Sequence, residues 1–290
     1  MSFGRPACIV AALLTLPSLG WSAQLTEATA AAWDRYLESA TSRMEGRLHP
    51  PRRFLWADEL PDRHLKLLQG EILAALADAR VDKPVPNGLI HHWAGAAFIR
   101  GVSMEDVLLI ANDYDHYPDY FKPTVAQAKL IRQSGDDYWF SMRWQKRVLK
   151  VTSAAETEWE SVFSRVDQTR GYGLTRSTLV QEVRNPGEPN EARLPPGQGS
   201  GYIWRVYGIS RYEQRDGGVY LEMESIVLSR DIPAVFRWLV NPIVRSVARS
   251  SIVTSLRQAR EAVLARACQP ENRSKKEDAG CESRNHITSP

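Results

Sequence analysis

The stretch Pro242–Ala267, PIVRSVARSSIVTSLRQAREAVLARA, carries Ile243, Val247, Ile252, Leu256, Ala259 and Val263 at mostly three- and four-residue steps. That spacing lines one side of an α-helix. Asn241 is placed to cap the helix and Pro242 to take its first position, where a missing N–H is no loss. At 1.5 Å per residue the helix would be roughly 35–40 Å long. It is too one-sided to stand alone, so its stripe predicts a large apolar partner earlier in the chain.

That partner reads as β-structure. Tyr138, Phe140, Met142, Trp144 and Val148 alternate with Ser141, Arg143, Gln145 and Arg147, the mark of a strand with one apolar face. Strands of similar style are expected at 89–100, 124–133, 154–167, 172–184, 201–214 and 219–229. The turns between them fall at Ser134-Gly135-Asp136, at 168–171 and at Asp216-Gly217-Gly218, the last a hairpin signal. Residues 185–200, rich in Pro, Gly and Asn, read as the longest loop. Between the first strand and the rest, Ser103 with Asp106 forms a capping-box-like start for a helix holding Val107, Leu108, Ala111 and Tyr114, which Pro118 should end. Strand, helix, about six antiparallel strands and one long helix form an α+β order. It excludes a doubly wound parallel sheet.

Ahead of the sheet, Trp33, Leu37, Ala40, Met44 and Leu48 form a helical stripe over 26–48. Residues 49–61, with Pro50, Pro51 and Pro61, read as a linker. From Asp62 to about Asp78 a second amphipathic stretch follows, although Gly70-Glu71-Ile72 could equally open a strand. The resulting division is 1–23 signal peptide, 24–80 N-terminal helical extension, 81–267 main domain, and 268–290 polar, disordered tail.

The chain has 290 residues, 43% hydrophobic and 24% charged, with a formal net charge of +3. The charges are interspersed, so no nucleic-acid footprint is visible. Arg5, the apolar run Ala7–Leu16 broken by Thr15, and the small residues Ser22 and Ala23 follow the order of a secretory signal peptide. The expected location is therefore periplasmic or secreted, with an uncleaved anchor or a buried helix as the alternative. No stable membrane span is expected in the mature chain, while a transient membrane or protein contact is left open. Cys8 would leave with the signal, and Cys268 and Cys281 could then pair in an oxidising compartment.

Gly101-Val102-Ser103, Asp106-Val107, the run Asp113-Tyr114-Asp115-His116-Tyr117-Pro118, the Asp216-Gly217-Gly218 hairpin and Arg230-Asp231-Ile232-Pro233 together resemble the START-like, or SRPBCC, helix-grip superfamily. The likeness is to its polyketide-cyclase and coenzyme-Q-binding branch, over about residues 89–266. It implies a curved antiparallel sheet wrapped around the C-terminal helix, with a hydrophobic ligand held between them. Phe140 (or its neighbour Trp139), Met142, Trp144, Trp204, Val206, Leu221 and Met223 on strands would then be walls, with Phe236, Ile243 and Val247 on the helical side. Arg143, Arg205, Tyr202 and His92 are candidate polar anchors, and Tyr207, Tyr212 and Ser210 further polar contacts.

No metal, cofactor or catalytic residue is assigned. His91 and His92 are strand neighbours pointing to opposite faces, so one is expected in the core and one at the surface. His116, among Asp113, Asp115 and Asp119, could do acid–base work if it faced a pocket, but it occupies a helix end. Glu222 and Glu224 share a strand face, with Arg205 and Arg211 nearby, and are expected to pair on a solvated outer face. The leading reading is an exported protein enclosing a lipid, quinone or polyketide-like molecule. A cyclase or aromatase-type enzyme, or an interaction module with a filled core, would use the same scaffold.

Overall fold

The computed structural model describes residues 25–77, 83–148, 151–231 and 234–268, with the side chains of 148, 151 and 234–245 outside that set. The expected signal peptide, the tail from residue 269 and Cys281 therefore lie outside the described residues. Helix α1 spans Glu27–Gly46, capped by Thr26, whose hydroxyl accepts from the Thr29 amide. A 3-10 turn at Ala57–Glu59 leads to α2, Pro61–Leu68, with proline in its first turn. After Gly70, at φ 90°, the period changes to a strand, β1 at Leu73–Leu76, so both readings of that stretch hold in succession. Strand β2 (Lys83–Val85) turns through Asn87, at φ 53°, into β3, Gly88–Arg100.

Helix α3, Met104–Ala111, opens on the expected capping box: the Ser103 hydroxyl accepts from the Asp106 amide, and the Asp106 carboxylate accepts from the Ser103 amide. It stops at Ala111, short of Tyr114 and Pro118. A 3-10 turn holds Tyr114–His116, and Pro118 sits in the first turn of a short helix, α4 at Tyr117–Tyr120. There its fixed φ starts a helix instead of breaking one. The strands that follow are β4 Val125–Ser134, β5 Asp137–Val148, β6 Val151–Arg165, β7 Arg170–Arg184, the two-residue β8 Ala192–Arg193, β9 Arg205–Arg215 and β10 Gly218–Arg230. The strand expected at 201–214 thus begins at Arg205. Helix α5 runs from Ala234 to Ala267, about 50 Å, and passes through Asn241 and Pro242, which neither cap nor start it. A proline inside a helix removes one donor, and this helix continues on both sides of it.

All ten strands form one antiparallel sheet in the order β1-β3-β10-β9-β7-β6-β5-β4, with β2 beside β3 and β8 beside β7. Register shifts at Val125/Gln127, Leu130/Arg132 and Glu158/Trp159 are bulges of the kind that bend strands. Helix α5 covers the inner face at its β3 edge, where Trp93, Ala97, Ile99, Val219 and Leu221 meet Ile252, Leu256 and Val263. This is the helix-grip arrangement. The outer face is covered too. Trp33, Tyr36 and Met44 of α1 pack on Ile90, Phe98, Ile209, Tyr220, Ile226 and Leu228. The expected linker joins them: Phe54, Leu55, Trp56 and Ala57 are all buried, and so form part of the core. Strand β3 is accordingly buried on both faces up to Ile99.

Candidate functional site

The inner face alternates between closure and space. A Cβ added to Gly95 on β3 would overlap Ile252 Cγ2 and lie 2.9 Å from Leu256 Cδ1, so α5 rests directly on the sheet there. Two to three strands away the contact is gone. A Cβ on Gly208 would meet backbone and Thr175 Cβ at 3.8–3.9 Å, and one on Gly173 the Val162 carbonyl at 3.8 Å. These are neighbours within the sheet. Among the described residues nothing besides that carbonyl lies within 4 Å of the Gly173 position.

Register explains the gap. Gly173 pairs with Ser210 and Thr175 with Gly208 across β7 and β9, while Ser210 pairs with Met223 and Gly208 with Ser225 across β9 and β10. Side chains opposite one another on antiparallel strands share a face, so these small residues form one hollow patch, and Thr175, Gly208, Ser210, Met223 and Ser225 are half-buried. Several hydroxyls here are bonded within the sheet. Ser161 Oγ is 2.8 Å from Thr175 Oγ1, and Ser177 Oγ accepts from the Val206 amide and donates to its carbonyl. Once internally bonded, such a floor presents mainly its carbon atoms.

One end of the patch is aromatic. Tyr114 stacks on Phe140 at 4.0 Å between centroids, and Phe140 lies parallel to Trp159 at 6.1 Å. Trp159 Nε1 donates to Thr157 Oγ1, which donates to the Met142 carbonyl. Burial raises the Tyr114 phenol well above its usual value, so it stays neutral. At the rim, Lys146 shares the face of Met142 and Trp144 and reaches α5, with Nζ 2.8 Å from Ser251 Oγ and 3.5 Å from the Val247 carbonyl. Burial lowers its pKa.

Of the expected walls, Phe140 is buried in this aromatic cluster, with Met142 and Val206 packed beside it. Trp144 is half-buried opposite Ala155. Leu221 and Met223 lie on the inner face in the cluster under α5, and Val247 is half-buried on the helix. The side chains of Phe236 and Ile243 lie outside the described residues. Trp204 is placed elsewhere, packed with the outer-face cluster. The four expected anchors also lie away from the inner face. Arg143 makes two bonds to Glu191, at 2.7 and 2.8 Å, on the opposite side of β5 from Met142. Arg205 reaches Asp34 of α1 at 3.3 Å, Tyr202 is 48% exposed in a loop, and His92 lies under α1. Period-2 alternation is the reason: each has the parity of the outer face or sits beyond the strand end. Lys146, absent from the expected set, has inner-face parity and could have been found by the same rule. The hollow could not, because it arises from small residues on three strands whose register no single strand reveals.

Glu222, Glu224 and Arg211 do pair across β9 and β10 on the outer face, but that face is not solvated. The Arg211 and Glu222 side chains are each 1% exposed. Arg211 Nε donates to Glu222 Oε2 at 2.9 Å, and its Nη2 lies 2.6 Å from Glu224 Oε1. The Trp56 and Ala57 amides donate to Glu222 at 2.9 and 2.7 Å. Glu224 Oε2 is 2.8 Å from His92 Nε2, and His92 Nδ1 is 2.9 Å from the Tyr36 hydroxyl. Burial works against the Glu224 charge, but Arg211 and His92 outweigh it and hold the carboxyl well below its usual range. Nor is either histidine of the pair at the surface: His91 is buried on the inner side, 3.0 Å from Ser229 Oγ, and His92 on the outer. His116 lies at the surface; its side chain is 62% exposed and pairs with Asp113. Among the described residues no group of three or more His, Cys, Asp or Glu side chains could hold a metal ion.

No family model matches the sequence, and no curated protein matches it. Solved structures do match in shape. A STAR-related lipid transfer protein of Xanthomonas axonopodis is 14% identical, with a TM-score of 0.42 over 66% of this chain and 98% of that one. The Zhui aromatase/cyclase of Streptomyces sp. R1128 is 9% identical, with a TM-score of 0.43 over 63% and 98%. Human STARD10 is 10% identical, with a TM-score of 0.40 over 79% and 87%.

Proposed function

We propose that this protein encloses a hydrophobic small molecule, of lipid, quinone or polyketide-like character, between the inner face of the sheet and α5. The observation that carries the reading is the contrast between Gly95, where α5 touches the sheet, and Gly173 and Gly208, whose nearest described neighbours are atoms of the sheet itself, at 3.8–3.9 Å. The Ser161–Thr175 hydroxyl pair, half-buried Met142, Trp144, Val206 and Met223, and an aromatic end suit an apolar body. Lys146 at the rim offers a cation to a polar head. Export accompanies this reading: the order of residues 1–23 supports it, as does the disulfide at Cys268. Among the described residues no helix is long and apolar enough to cross a membrane.

The test is native mass spectrometry of the protein recovered from its producing cells, followed by solvent extraction of any adduct. A stoichiometric hydrophobic adduct is expected, and Gly208→Leu, which fills the hollow at a position with ordinary backbone geometry, should abolish it while the protein still folds. No adduct and no uptake of a panel of lipids and quinones would refute the proposal.

A further inference from the structure

The outer face holds a cavity of about 490 Å³ between α1, the segment 52–59 and the sheet. That size lies within the range of small-molecule sites. Its floor is mixed, with Met44, Trp56, Ala77 and Ile209 beside His92 and Glu224. Its walls carry Arg43, Arg47, Arg52 and Arg53. The acids beside them are already engaged. Glu59 pairs with Arg47 and Arg63, and Glu224 is matched by the buried Arg211. Arg43 donates to Ser39 Oγ and lies over the Tyr36 ring, and Arg52 lies along Gly46 at the end of α1, 3.5 Å from where a Cβ would be. Among the described residues no carboxylate is within ion-pair distance of Arg43, Arg52 or Arg53.

We propose that this cavity is a binding site for an organic anion, a carboxylate or phosphate monoester whose apolar body lies on Met44, Trp56 and Ile209. Guanidinium groups bind such heads through paired, charge-assisted hydrogen bonds. Arg43, Arg52 and Arg53, which lack a carboxylate partner among the described residues, form a site that a neutral ligand would leave unsatisfied in charge. The site lies across the sheet from the inner hollow and is independent of the function proposed above. Its arginines all come from residues 40–59, which lie over the outer face of the sheet.

The test is isothermal titration of the full chain with decanoate and with decyl phosphate, with decanol as the neutral probe. Two variants separate the faces: Arg52→Gln/Arg53→Gln, whose parents are exposed, and Gly208→Leu on the inner face. The double variant should weaken both anions at least tenfold at low salt and leave decanol unchanged, and 0.5 M salt should weaken the wild-type complex. Gly208→Leu should leave anion binding at the arginine site intact. Wild-type affinity in the double variant, loss of the anions in Gly208→Leu alone, or no anion binding by the wild type would each overturn the proposal.

Discussion

Replacing Arg211 by methionine tests whether the charges on the outer face are truly enclosed. The guanidinium is 1% exposed and is shared between two carboxylates, with a further contact from Nη1 to Met44 Sδ at 3.7 Å. Methionine keeps the unbranched apolar stem but leaves Glu222 and Glu224 without their cation. Removing one partner of a buried ion pair costs about 3–5 kcal/mol, against a total stability of roughly 5–15 kcal/mol for a domain. Urea unfolding followed by tryptophan fluorescence should show that loss as a lower midpoint at unchanged slope, and the melting temperature should fall by roughly 6–20 °C. The pH dependence has a definite sign. The folded pKa of Glu224 is depressed below its ordinary value of 4.5, so its stabilisation is complete above that value and is lost as pH falls toward the folded pKa. Without Arg211 that depression is relieved, so the gap between variant and wild type should narrow below about pH 4.5. Adding Glu222→Gln and Glu224→Gln should recover part of the loss. A cost under about 1 kcal/mol at pH 7 would refute the argument, because it is the cost expected of a solvated pair.

Gly95→Val should destabilise by roughly 1–3 kcal/mol or more, since its side chain would enter the space held by Ile252 and Leu256; thermal melting measures it. Ser103→Ala removes the α3 cap and should cost about 1 kcal/mol in the same assay, whereas Ser103→Thr, which keeps the hydroxyl, should cost little. Tyr36→Phe, which deletes the hydroxyl on His92 Nδ1 while keeping the ring, should cost about 1 kcal/mol by chemical denaturation. Lys146→Met removes the bonds from β5 to α5 at Val247 and Ser251. Hydrogen exchange of the α5 amides near these residues should then speed up about fivefold, the equivalent of about 1 kcal/mol; unchanged exchange would show that Lys146 does not hold the helix.

Where local chemistry sufficed, the sequence could be read to within a few residues. The α5 stripe is legible because Ile252, Leu256 and Val263 repeat at helical spacing, and all three are buried. The last hairpin is legible because Asp216-Gly217 accepts positive φ at both positions, 54° and 72°. What alternation cannot say is whether the second face of a sheet meets water or another layer. Glu222, Glu224 and Arg211 therefore read as a solvated set, although α1 and the segment from Phe54 to Ala57 bury them. The same segment reads as a linker because three prolines flank it. Its Phe-Leu-Trp-Ala run was the available signal of a core insertion. Trp204 illustrates the converse limit: its size marks it as buried, but not in which cluster.

The two faces of the central strands carry complementary loads, and this connects the extension to the proposed site. Along β9 the inward residues Gly208 and Ser210 are small and only half-buried, while the outward Tyr207, Ile209 and Arg211 are buried. On β10 the inward Ser225 is likewise small, and the outward Tyr220, Glu222 and Ile226 are buried. A sheet that leaves room for a ligand gives up packing on that side, so the order of its middle strands must come from the other. Here it comes from α1 and from Trp56 and Ala57, whose amides bond the Glu222 carboxylate that also anchors Arg211. The outer cover is thus the layer against which the hollow is held open. It follows that the extension cannot be removed without exposing a buried ion-pair network as well as an apolar face.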